Sequence, residues 1–297
     1  MNRGLLAGIL AYTLWGFMPI FWKSLHAVPA LESVSHRTIW ALGVILLLLG
    51  LRRQWSWIQQ VRKRPRLLLA FAGSAALLSM NWLTYIWAVN SAHVVDSSLG
   101  YFINPLFSVL LGALFLRERL RPWQVVAVVI AGLGVLYLTV GYGAFPWIGL
   151  TLALTFGFYG LLRKTAPLGS MEGLSIETAI LSVPSLAYLI YLEGSGGASF
   201  GHSGVATSIL LVLSGVATAV PLLLFAYSAR RVSLATVGIL QYIAPTFQFL
   251  LGVFLYGEPF TIDQLLGFAP IWLAVIIYSA EGLVVERRRR AGRVAAR

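Results

Sequence analysis

The sequence predicts an all-α membrane protein with ten transmembrane helices, arranged as two inverted-topology five-helix repeats. Three observations carry that expectation: an apolar composition, one stretch that occurs twice, and basic residues confined to particular loops. The chain is 59% hydrophobic and 11% charged, with a mean hydropathy of +0.83. A soluble protein of that composition would have to cover its surface with apolar side chains, so the chain belongs in a bilayer. Its apolar runs are about 18 to 24 residues long and lack two-residue alternation. Such runs fit helices crossing a hydrocarbon core of roughly 30 Å and exclude an outer-membrane barrel.

The recurring stretch is Val94 to Leu138, which aligns without gaps on residues 234 to 278 at a constant offset of 140. Identities fall at Ile103/Ile243, Pro105/Pro245, Phe107/Phe247, Leu110/Leu250, Leu111/Leu251 and Gly112/Gly252, then at Glu118/Glu258, Gln124/Gln264, Leu133/Leu273 and Val135/Val275. Each copy reads as an apolar span, a polar corner with a glutamate, and a second apolar span, which is a membrane helical hairpin. The first corner carries Arg117, Arg119 and Arg121, where the second has Gly257, Pro259 and Thr261. Cytoplasmic loops are rich in Lys and Arg, so the two hairpins are expected to face opposite sides of the membrane.

Taken in order, the first span covers 4 to 22. No basic segment with a short apolar core and cleavage site stands there, so the span is read as a retained helix. The second, 33 to 51, leads into six basic residues between Arg52 and Arg66, and spans at 67 to 90 and 93 to 116 lead to the arginine corner. A fifth span at 121 to 140 completes the first repeat, residues 1–141. The second repeat, 142–284, holds spans at 146 to 163, 172 to 192, 205 to 228, 232 to 256 and 262 to 284. Residues 285–297 form a basic cytoplasmic tail, expected to fray. With both termini inside, 20 of the 22 Lys and Arg residues fall on the cytoplasmic side and only Lys23 and Arg37 outside.

The formal net charge of +12 is read as a topology determinant and not as a nucleic-acid surface. The chain has no cysteine and four scattered histidines, so neither disulfides nor a metal site is expected, and no cofactor. No metalloprotease helix motif, phosphate-cradling glycine loop or nucleophile elbow occurs. The expected partners are a small-molecule substrate and the lipid bilayer. Gly4/Gly8 and Ser108/Gly112 are small residues four apart, read as helix-packing positions.

Charge in hydrocarbon costs at least about 2.5 to 3.5 kcal/mol, so Arg37, Asp96 and Glu177 need partners, water or an interface. Arg37 and Asp96 lie at similar depth near the outer ends of their spans and are candidates for an ion pair. Glu177 lies near the inner face, within reach of Arg163, Lys164, Arg230 or Arg231. Two readings stand: gates at the two mouths, or static interfacial charges.

Deeper uncharged polar residues are the candidates for a substrate path. Tyr12 and Trp15, Asn81 and Tyr85, and Tyr101 and Asn104 each share a helix face, and Gln241 is the repeat counterpart of Tyr101. The alternative for each is hydrogen bonding within a packed bundle. Trp22, Trp40, Trp55, Trp57 and Trp147 are read as interfacial belt aromatics. Pro19, Pro105, Pro221 and Pro245 stand inside spans, where each removes a backbone hydrogen bond and favours a kink. The Pro105/Pro245 pair marks equivalent positions in the two halves, where a central site is expected.

At these residues the chain resembles a known family. The paired hairpins, with Glu118/Gln124 and Glu258/Gln264, resemble the two EamA domains of the drug/metabolite transporter superfamily. The stretches AYTLWGFMPIFWK, PALESVSHRTIW, NWLTYIWAVN, LGYFINPL and QYIAPTFQFLLGVFLYGEPF resemble more narrowly the RarD group, whose members carry the label chloramphenicol-sensitive protein. The resemblance implies a ten-helix inner-membrane carrier with cytoplasmic termini and a cavity between the halves, acting as an exporter of a metabolite, amino acid or drug. Metabolite import is the alternative within transport. A membrane-embedded enzyme or a sensor is the alternative from another class, weakened by the absent catalytic constellations and output domains.

Overall fold

The computed structural model describes residues 3–53, 55–90, 94–141, 147–255 and 262–295. Twelve α-helices are present in this part: α1 (Arg3–Lys23), α2 (Ala30–Leu51), α3 (Ser56–Lys63), α4 (Arg66–Asn90), α5 (Val94–Phe115), α6 (Pro122–Gly141), α7 (Trp147–Thr165), α8 (Ser170–Gly194), α9 (Val205–Ala229), α10 (Leu234–Gln241), α11 (Ile243–Leu250) and α12 (Ile262–Ala295). No strand occurs among the described residues.

Eight apolar segments here are long enough to cross a membrane: α1, α2, α6, α8, α9, the Arg66–Tyr85 part of α4, Leu234–Leu255, and the Leu265–Gly282 part of α12. The two remaining expected spans correspond to α5 and α7. α5 is 22 residues long, and its described side chains give an apolar stretch Gly100–Phe115; α7 ends on Arg163 and Lys164.

Three features depart from the spans read in the sequence. The short helix α3 stands inside the basic loop and is strongly amphipathic, with Trp57 and Val61 packed towards Phe71 and Leu168 and with Arg62 and Lys63 in its last turn. The span expected at 232 to 256 is broken at Tyr242 into α10 and α11 and closes in a π-helical turn at Leu251–Leu255. Pro245 has no N–H for the carbonyl of Gln241, which frees the backbone at that step. Pro19, Pro105 and Pro221 sit within α1, α5 and α9 without such a break, and Pro184 and Pro270 are further prolines inside α8 and α12. The tail expected to fray instead continues α12 to Ala295. Arginine and alanine are good helix formers, and cations suit a helix C-terminus.

Packing runs mainly between the halves. α2 packs on α8, α5 on α10 and α6 on α12, each pair occupying equivalent places in the two repeats, while α1 and α2 also pack on α9 and α5 on α7. Small residues permit the close approaches. A Cβ added at Gly238 of α10 would stand 2.6 Å from the carbonyl oxygen of Pro105 in α5. Gly8, read as a packing position, faces Leu240 and Ser228 in the same way.

Polar contacts sort onto two ends of the bundle. At one end Glu118 accepts from the backbone N–H groups of Leu234 at 2.7 Å and Ala235 at 3.0 Å. The Glu118 carboxylate thus lies at the positive N-terminus of α10. Lys164 lies 3.7 Å from Glu118 and donates to the carbonyls of Ala229 and Val232. Arg121 pairs with Glu281 at 2.6 Å at this end. At the other end the fully buried Glu32 accepts from the N–H of Ser199 at 2.7 Å and its hydroxyl at 2.8 Å, pinning the α8–α9 connection to α2.

A candidate solute cavity between the halves

A cavity of about 220 Å³ lies between α1, α2, α4 and α5 of the first half and α7, α9, α10 and α11 of the second. Its wall includes every residue read as a pathway candidate: Tyr12, Trp15, Asn81, Tyr85, Tyr101, Asn104 and Gln241. Pro19 and Pro245 also line it, whereas Pro105 and Pro221 are buried elsewhere in α5 and α9.

The candidate side chains play different parts. Asn81 donates from Nδ2 to the Leu152 carbonyl at 3.0 Å and to Thr155 Oγ1 at 3.0 Å, so its amide nitrogen ties α4 to α7. Gln241 donates to Ser108 Oγ at 3.1 Å, tying the end of α10 to α5. The Tyr85 and Tyr101 rings meet edge to face at 6.0 Å. Asn104 is buried, and its Oδ1 has no donor among the described residues. An unpaired buried carbonyl is costly unless water or a ligand reaches it.

Four aromatic or amide lining residues were not read as pathway candidates: Trp22, Trp82, Phe156 and Gln248. Trp22 was expected in the interfacial belt, yet it lines the cavity. Its position was legible: Tyr12, Trp15, Pro19 and Trp22 follow one another at steps of three and four, so they share one face of α1. Trp82 adjoins Asn81 in sequence and is 9% exposed. Phe156 comes from α7. Gln248 of α11 reaches back to the Trp15 carbonyl at 3.2 Å, and nothing in its local sequence announces that contact.

The cavity has a closed and an open end. Exposure rises from Tyr12 at 3% to Tyr85 at 37%. Around Tyr12 the rings of Trp15, Phe156, Tyr159 and Phe225 form an aromatic layer, with Tyr159 stacked on Phe225 at 5.9 Å. Below it Glu177, fully buried, accepts from Ser74 at 2.5 Å and Tyr159 at 3.2 Å and lies 3.5 Å from Arg163. Arg163 was one of the four partners foreseen for Glu177. Its guanidinium also donates to the Ser170 carbonyl at 2.9 Å, which fixes it across the α7–α8 connection.

Arg37 stands at the open end. Its Nε donates to Thr218 Oγ1 at 3.1 Å, and its guanidinium lies over the indole of Trp82 at 4.3 Å and that of Trp22 at 5.1 Å. The Asp96 side chain, expected as its partner, lies outside the described residues. No group of three or more His, Cys, Asp or Glu able to hold a metal occurs among the described residues.

Comparison with known proteins places these features in a family. Residues 2–140 and 146–280 each match the EamA-like transporter family. Protein RarD of Streptomyces exfoliatus is 45% identical over 290 residues, covering 98% of this chain and 92% of that protein. An uncharacterized transporter of Vibrio cholerae is 43% identical, over 98% of this chain and 97% of the relative. Protein RarD of Escherichia coli is 40% identical, with 97% of each chain covered. A crystal structure aligns over 95% of this chain and 98% of its own with a TM-score of 0.69, and at 20% identity it speaks to the fold alone. The chain is therefore a multi-pass membrane protein with two copies of one domain, and it belongs to the EamA-like transporter family as a RarD-type member.

Proposed function

We propose that the chain is a secondary transporter of small organic solutes in the bacterial inner membrane, exporting its substrate by alternating access about the central cavity. Ten spans in two oppositely inserted halves, with both termini cytoplasmic, form the carrier; α5 and α7 supply the two spans beyond the eight, and Arg163 and Lys164 lower the hydropathy of α7. The observation that carries this reading is a polar-aromatic cavity walled by both halves, open at one end and sealed at the other by stacked aromatics and a buried ion pair. Repeat-related rigid units around a mid-membrane site are the arrangement that rocking requires. By the distribution of basic loops, the sealed end is cytoplasmic and the conformation faces outward.

Aromatic faces and amide groups suit an amphiphilic organic solute better than an inorganic ion. A 33% identical relative in Pseudomonas aeruginosa is named chloramphenicol-sensitive protein RarD, which makes chloramphenicol a reasonable first solute, with amino acids beside it. The test is counterflow of labelled chloramphenicol and of an amino-acid mixture in proteoliposomes, with and without a proton gradient. Flux by the parent chain, with altered affinity or selectivity in Asn81→Ala, Tyr101→Ala or Gln241→Ala at normal expression, is the expected result. Unchanged affinity, selectivity and flux in all three would reduce these residues to helix-packing groups.

A further inference from the structure

We propose that Arg37 is the anion-recognising group of the central cavity, and that the solute admitted is a small organic carboxylate with an aromatic or apolar body. This rests on the cavity being the transport site.

Among the described lining residues Arg37 alone carries a formal charge. No carboxylate pairs with it among the described residues, where its one hydrogen bond goes to the neutral hydroxyl of Thr218. A guanidinium in a partly dry setting gains most from an anion, and the cost of bringing the cation to this depth has already been met on folding. The way it is held matters as much as the charge. Trp82 and Trp22 engage its π-face, and Thr218 takes the Nε edge. Stacking on the face leaves the in-plane edge of the two terminal nitrogens, which have no acceptor among the described residues. That edge is the one that grips a carboxylate in a bidentate fork.

The rest of the wall defines what the carboxylate is attached to. Trp15, Trp22, Trp82, Tyr85 and Tyr101 line the same cavity as the guanidinium with aromatic rings. No acidic residue is among the described lining, so no opposite charge there competes with the solute for Arg37. The volume of about 220 Å³ admits a single-ring or two-ring acid. Arg37 then acts as the specificity determinant at the open end, while the aromatic wall accepts a range of bodies.

The test uses the full chain in lipid nanodiscs, with binding read from the fluorescence of the cavity indoles. The probes are two matched pairs at neutral pH: 3-phenylpropanoate against 3-phenylpropionamide, and indole-3-acetate against indole-3-acetamide. In the parent chain each acid should bind about tenfold more tightly than its amide, the difference a charge-assisted bidentate contact commands. Arg37→Gln should abolish that preference and leave amide affinity within about threefold, which also shows that the variant is folded. Arg37→Lys should keep a reduced preference. Equal binding of acid and amide by the parent chain would overturn the proposal, as would an equal loss of both in Arg37→Gln, or an acid preference that emerges only after Asp96→Asn. Amide binding that persists without an acid preference and is lost in Gln241→Ala would sink the carboxylate assignment while keeping the cavity. No binding of either member of either pair would count against both.

Discussion

The phenolic hydroxyl of Tyr242 donates to the backbone carbonyl of Phe102 at 3.3 Å, joining two residues that stand 140 positions apart and occupy the same place in the two repeats. A bond between equivalent residues lies on or near the axis relating the halves. Its surroundings agree: Tyr242 is fully buried, Gly238 abuts Pro105, and α5 packs on α10. Tyr242→Phe keeps the ring and removes one interhelical hydrogen bond, so it should lower stability by about 0.6 kcal/mol. Tyr242→Ala empties a packed site and should cost about 3 to 5 kcal/mol. Denaturation in mixed micelles would separate them, and equal losses in the two variants would show that the ring contributes nothing there.

Glu118 should matter through α10 and not through a solute. It lies at the backbone N–H groups of Leu234 and Ala235 and beside Lys164. Glu118→Ala leaves those groups unpaired and should cost about 1 to 2 kcal/mol, with Glu118→Gln costing less because one acceptor survives. The affinity of the cavity for solute should stay unchanged in both. A solute-affinity defect without a loss of thermal stability would contradict this role.

The Arg163–Glu177 pair should show strong coupling. Removing one partner strands a charge at a site that is 1% or less exposed, so Glu177→Leu or Arg163→Met should each cost about 3 to 5 kcal/mol. The double variant Arg163→Met, Glu177→Leu should cost much less than the two single losses together. Simple additivity in a double-mutant cycle would mean that each side chain acts alone, through Ser170 or through Ser74 and Tyr159.

Topology can be read with single cysteines, because the native chain has none. Arg119→Cys should react with an impermeant thiol reagent only from the cytoplasmic side, and Thr261→Cys only from outside. Labelling of both from one side would reject oppositely inserted halves.

The amino-acid order is enough to read a membrane helical protein, the repeat and its offset, the sidedness expected from the basic loops, and the polar-aromatic residues of α1, α4, α5 and α10. Those are properties of length, composition and helical period, which are local and can be read residue by residue. Tertiary structure decided which of those residues share a space and what each does there. The Gln241 contact with Ser108, the Gln248 contact with the Trp15 carbonyl and the capping of α10 by Glu118 all join residues more than 100 positions apart. No periodicity encodes such pairings. The same holds for Arg37: its depth was visible in the chain, but its place over two indoles, with one edge on Thr218, depends on α1, α2, α4 and α9 meeting at one point. In hydrocarbon a side chain's role follows from the partner that relieves its polarity, and that partner is fixed only when the helices pack.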